Sequence, residues 1–267
     1  MLVRNTLIAL AAATAANAQL GSLTSGLSAS CGSAAYSLIS SDFATCSSLG
    51  SLLNVFLASG SIVEPVDNWL TTLCTGGQNC TDAAISNATS IIDQGCSEEI
   101  SSGQALISTV RTLVANFPQV KEGACLASTS NDTFCVTNLL SGVQNATGTD
   151  LSFDTVSNLN ATSLTSIPTS AVCTDCAHAL ISELGPVFGA NSSSTITGAI
   201  SSVCGESFTD GQIPSTVSEK TSSNSSTNSS GGAVESSPLN AAGSLDVGAW
   251  KMAGAALLGA AGVAALA

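Results

Sequence analysis

The sequence has 267 residues, with 18 Asp or Glu against 5 Lys or Arg, one His, ten Cys and 4% aromatics, for a net charge of −13. So acidic a chain lacks the basic patches that nucleic acid or an anionic lipid surface needs, and both are excluded as partners. With few aromatics and much Ser, Thr and Ala, the core must be built from small side chains that bury little apolar area each, so covalent support is expected.

Residues 1–18 read as a signal peptide. Arg4 precedes the apolar run Thr6–Ala16, which is followed by the A-x-A pattern Ala16-Asn17-Ala18. The run is too short to span a bilayer, which takes about 20 apolar residues. Gln19 is the expected mature N-terminus, and residues 19–208 form the expected cysteine-rich ectodomain.

Within it the hydrophobic period is helical. Pro65 opens a segment carrying Trp69, Leu70 and Leu73. Ala84, Ile85, Ala88, Ile91 and Ile92 form one apolar stripe. Ser97, followed by Glu98 and Glu99, is read as the N-cap of a further helix. That helix carries Leu106, Ile107, Val110, Leu113, Val114 and Phe117, and Pro118 ends it. Pro168 precedes a helix over Ala171 to Leu184, broken by Gly185-Pro186. Strand-type alternation is almost absent, and the fold class expected is all-α, a disulfide-stapled helical domain.

Residues 209–240, rich in Ser, Thr, Gly and Asn, read as a disordered stalk, because they cannot bury enough apolar surface to offset their conformational entropy. Residues 241–267 read as a GPI-attachment propeptide. Small residues at 240–242 are followed by a polar spacer and by the uncharged tail Met252–Ala267. Asn240 is the expected attachment residue, with Gly243 and Ser230 as alternatives. After both removals the chain keeps Arg111, Lys121 and Lys220 against 17 acidic residues, a net charge of −14. The expected address is the outer face of the plasma membrane or the cell wall, with the membrane reached only through the lipid anchor.

All ten cysteines, Cys31, Cys46, Cys74, Cys80, Cys96, Cys125, Cys135, Cys173, Cys176 and Cys204, lie between the processing segments. An even count behind a signal peptide predicts five disulfides. They also suggest an internal repeat, residues 27–96 and 121–204, each with a separated pair, a close pair and a single cysteine. Five per half is odd, so at least one bridge must join the halves. Sequons fall at Asn79, Asn87, Asn131, Asn145, Asn160, Asn191, Asn224 and Asn228, all expected N-glycosylation sites. At Asn79, between Cys74 and Cys80, a bridge could hinder modification.

Trp69-Leu-Thr-Thr-Leu-Cys74 with nearby Cys80, then Cys173-Thr-Asp-Cys176, then stalk and apolar tail, resembles an uncharacterised family of fungal GPI-anchored surface proteins carrying a domain of unknown function. The resemblance implies a surface location and a helical fold. It brings no catalytic residues.

No catalytic constellation emerges. Cys173-Thr-Asp-Cys176 has redox spacing but no thioredoxin-like βαβ context, so both cysteines are expected to be bridged elsewhere. His178, the single histidine, lacks a G-x-S-x-G nucleophile elbow, and Ala177 rules out a haem-attachment C-x-x-C-H. Neither a zinc set nor a calcium loop is found, nor a P-loop. A glycosidase would need paired carboxylates and stacking aromatics, and Trp69, the one Trp of the mature chain, is expected in the core. No enzyme activity and no cofactor are expected. The reading is a non-catalytic surface protein with a structural or interaction role and cell-wall components as partners. The alternative is a module binding a lipid or sterol between its amphipathic helices.

Overall fold

The computed structural model describes residues 26–76, 78–157, 167–188, 198 and 200–221. The expected signal peptide and GPI propeptide, Asn240, and the sequons at Asn160, Asn191, Asn224 and Asn228 lie outside the described residues.

The described residues are mostly helical. In order come α1 (Ala29–Ile39), α2 (Asp42–Cys46), α3 (Leu49–Leu57) and α4 (Val63–Thr71), which runs into a π-helical turn (Thr72–Gly76). Then follow α5 (Asp82–Gly95), α6 (Ser97–Ser101), α7 (Ala105–Ala115), α8 (Phe117–Ala124) and β1 (Leu126–Ser128). The second half holds α9 (Cys135–Thr147), α10 (Phe153–Ser157), α11 (Thr169–Val172) and α12 (Asp175–Leu184). Two 3-10 turns (Gly185–Phe188 and Glu206–Thr209) and β2 (Val217–Glu219) complete it.

Local signals explain most starts. Ser28, Thr81 and Thr174 cap α1, α5 and α12, each side-chain oxygen accepting a backbone N–H three residues on at 3.2 Å. The α5 stripe is buried as expected at Ala84, Ile85, Ala88 and Ile92. Other boundaries differ. Ser97 is the first residue of α6, with Cys96 as its N-cap. The helix expected from 97 to 117 is cut at Gly103, whose φ of +73° suits glycine. Pro118 does not end a helix. It occupies the second position of α8, where its missing N–H costs nothing. The expected 171–184 helix is interrupted at Cys173, and Thr174 restarts it.

One continuous core runs through both halves. Val66, Leu70, Leu73, Phe134, Leu140, Leu180 and Leu184 are its fully enclosed large residues or close to it. Trp69 belongs to it as expected, 3% exposed, its indole N–H donating to the Ser47 carbonyl at 3.2 Å. Edge-to-face pairs Phe43–Phe117 and Phe56–Phe153, 4.9 and 4.8 Å between centroids, add directional packing.

All ten cysteines are paired: Cys31–Cys96, Cys46–Cys80, Cys74–Cys125, Cys135–Cys176 and Cys173–Cys204. Cys74–Cys125 is the bridge between halves that the odd count requires. The pairing is repeated only in part. In both halves the second cysteine binds the fourth (Cys46–Cys80, Cys135–Cys176). The fifth is bound by the first residue of the set in one half and by the third in the other.

The ordered chain does not stop at residue 208. Residues 210–221 lie as a strap over the second half and are not part of the stalk expected from residue 209; residues 222–240 of that stalk lie outside the described residues. The strap is held because β2 pairs antiparallel with β1, Leu126 opposite Glu219 and Ser128 opposite Val217. Its Thr216 hydroxyl donates to Asp175 at 2.6 Å, and the Ser182 hydroxyl donates to the Gln212 carbonyl at 3.1 Å. Lys220 ion-pairs with Asp132 at 2.7 Å, lies 4.9 Å over the Phe134 ring and donates its backbone N–H to Cys125 O.

Candidate functional site

The residues singled out for chemistry are engaged structurally. Cys173 and Cys176 are bridged to Cys204 and Cys135, so the C-x-x-C offers no dithiol. His178, on α12, places Nε2 2.8 Å from Asp210 Oδ1 and stacks at a tilt on Phe208, 5.1 Å between centroids. The backbone N–H of Gln212 and then His178 hold the Asp210 carboxyl below its ordinary value of 3.8. His178 therefore clips the strap to α12. Cys31, Cys96 and Glu99 sit close enough to hold a metal ion. Both sulfurs are already joined in a disulfide, which removes the thiolate ligands. Glu99 is buried and accepts the Ser28 N–H at 2.6 Å, which lowers its carboxyl below 4.5.

An open groove of about 670 Å³ lies between α5, α7 and α8. Ser86, Thr89, Ser90, Gln94, Asn116 and Gln119 present hydroxyls and amides to it, with Asp82 and Asp93 at its wall. Arg111 forms a two-pronged ion pair with Asp93, Nη2 reaching Oδ2 at 3.1 Å, and the pairing raises the guanidinium pKa further. Pro118, Ile85 and Ala115 are its apolar lining. Several of the hydroxyls and amides already bond within their own helices: Thr89 Oγ1 donates to the Ile85 carbonyl at 2.9 Å, Gln94 Nε2 to Ser90 Oγ at 2.7 Å and Asn116 Nδ2 to the Thr112 carbonyl at 2.8 Å. Sequence reasoning misses the groove, since it ends the 97–117 helix at Pro118 and so does not see α8, which begins there.

A second feature without a local sequence signal is a carboxylate cluster from three elements: Glu122 on α8, Glu183 on α12 and Glu219 on β2. Desolvation, then the Glu122 charge and a hydrogen bond with it, raise the Glu183 carboxyl above 4.5; desolvation and Glu122 raise Glu219 likewise. Burial lowers the Lys121 ammonium, and Glu219 partly offsets this. Carboxyls raised in the folded state stabilise it fully below the unfolded value of 4.5, and that stability is lost as pH rises through the raised values. Glu183→Gln should therefore melt higher than the parent at pH 7 and nearly with it at pH 4. Thermal melts from pH 4 to 8 test this; a constant offset at every pH would refute it. Glu99 and Asp210 act in the other direction, and their contribution is lost as pH falls through their lowered values.

The four described sequons, Asn79, Asn87, Asn131 and Asn145, are exposed. Asn87 shares α5 with the groove residues, and Asn145 lies near the end of α9, which Gly148 terminates at φ +64°. Asn131 sits at the turn before α9, its Oδ1 accepting the Thr133 N–H at 3.2 Å. Among the described residues no helix is long and apolar enough to cross a membrane.

A family model described as a domain of unknown function (DUF7729) matches residues 17–213. No curated protein and no solved structure matches the chain.

Proposed function

This chain belongs to the family of the domain of unknown function DUF7729, and on that premise we propose that it is a non-catalytic glycoprotein of the cell surface or cell wall, GPI-anchored, with a structural or interaction role. The observation that carries the reading is the complete closure of ten cysteines into five disulfides beneath exposed sequons. That combination suits an oxidising, extracellular setting. The engaged state of Cys173, Cys176 and His178 supports the absence of turnover. The hydroxyl- and amide-lined groove supports an interaction with polar cell-wall components. The layout of stalk and apolar tail, and its resemblance to fungal surface proteins, support the anchor.

The test is expression of the full chain in a fungal host. Phosphatidylinositol-specific phospholipase should release it from the cell surface, and replacing Asn240 with its small neighbours should abolish retention. Unchanged retention in both arms would overturn the anchor. Native mass spectrometry of the secreted ectodomain separates the alternative: a lipid or sterol lost on denaturation would make the protein a carrier, and a clean mass would favour the reading proposed here.

A further inference from the structure

Asn79 stands in the sequon Asn79-Cys80-Thr81, and the other two residues are committed to the fold. Cys80 is bonded to Cys46. The Thr81 hydroxyl accepts the Ala84 N–H at 3.2 Å and so starts α5. The Lys121 ammonium, which can only donate, holds Asn79 Oδ1 at 2.9 Å. Nδ2, the atom to which a sugar is joined, is the end of the amide left over, on an exposed residue. The finished fold thus has room for a glycan at Asn79. It does not offer the mobile tripeptide that a transferase must bend into its own site, because a disulfide and a helix cap fix it from both sides.

We infer that Asn79 is a redox-gated glycosylation site, an acceptor while Cys80 is a thiol and closed once the Cys46–Cys80 bridge forms. The inference rests on the secretory reading above. Chain order sets up the competition. Cys46 precedes Cys80 by 34 residues, so it is already on the same side of the membrane when the sequon arrives, and closure can begin at once. In glycosylation, Nδ2 attacks C1 of a lipid-linked oligosaccharide. The C1–N bond forms, the C1–O bond to the lipid diphosphate breaks, and one amide proton is given up as the diphosphate leaves. In closure, the two thiols lose two protons and two electrons to a disulfide-carrying oxidoreductase, which is reduced to its dithiol. The sequons at Asn131 and Asn145 contain no cysteine and serve as internal references.

The experiment reads site occupancy by peptide mass spectrometry on the total cellular pool of full-length chain, so failure to fold or leave the cell does not affect it. Three samples are compared: the parent, the parent synthesised during a short dithiothreitol pulse, and Cys46→Ser, which keeps the sequon intact. Because closure takes seconds or longer and competes with transfer, Asn79 occupancy should rise by roughly twofold or more in the second and third samples. Asn131 and Asn145 should not change. Equal Asn79 occupancy in all three samples, full or empty, overturns the gate. Bare asparagine at Asn131 and Asn145 as well would instead overturn the secretory reading, and the gate with it.

Discussion

Replacing Cys74 and Cys125 together by alanine should lower the melting temperature by roughly 8–16 °C. The bridge closes a separation of 51 residues, for which the chain-entropy argument gives about 4 kcal/mol. In a domain of this size each kcal/mol shifts the midpoint by about 2–4 °C. Both cysteines are buried, at 5% and 0% exposure, so sulfur packing is lost together with the constraint. The double replacement avoids a free thiol that could mispair. Circular dichroism melts of the purified disulfide-bonded chain check it. A drop below about 3 °C would mean that the shared core already joins the halves as firmly as the bridge does.

Gly95→Ala should destabilise the domain by about 1–3 kcal/mol, although alanine is the better helix former. Gly95 is the last residue of α5, and a Cβ built there would overlap Ala34 Cβ and lie 3.3 Å from the Ser30 carbonyl oxygen on α1. A methyl on the helix backbone cannot rotate aside, so one of the helices has to move. That movement would occur next to the Cys31–Cys96 bridge, which fixes their separation. Ala34→Gly alone should cost about 1 kcal/mol through helix propensity. Combined with Gly95→Ala it should recover part of the loss, because the methyl clash disappears while the carbonyl contact remains. A double-mutant cycle reads this directly, and strictly additive effects would show that the two positions do not meet.

What the sequence made legible follows from what is local. The α5 stripe, the helical class and the need for a bridge between halves depend on periodicity and on parity, and each is found. Residue type alone points Trp69 to the core, and it is there. The errors share one cause. Pro118 is the same residue whether it stops one helix or begins the next. Here it begins α8, whose first residue Phe117 packs edge-to-face on Phe43 of α2, a contact that no local window records. Thr216 to Glu219 looks like stalk in composition, and its strand character comes from β1, some ninety residues earlier in the chain. The groove and the Glu122–Glu183–Glu219 cluster each combine elements whose association no short window records. Disulfide partners were equally hidden, since spacing constrains which cysteines can pair far less than the three-dimensional path does.

The strap has a mechanical consequence. Tension along the chain beyond residue 221 would load β2, Lys220 and the His178–Asp210 clip before any helix of the core. These are a three-residue ladder and exposed polar bonds, each weak alone. Once they part, the strap pays out as far as Cys204, which the Cys173–Cys204 bond holds covalently. At about 3.3–3.6 Å per extended residue, the freed segment reaches at most roughly 55–60 Å, and the gain is that length less the distance it already spans in the fold. The segment would act as a shock absorber: a sudden pull lengthens the chain beyond Cys204 and leaves the disulfide-locked helices folded. Single-molecule stretching from the C-terminal side would show this as a low-force step shorter than that limit.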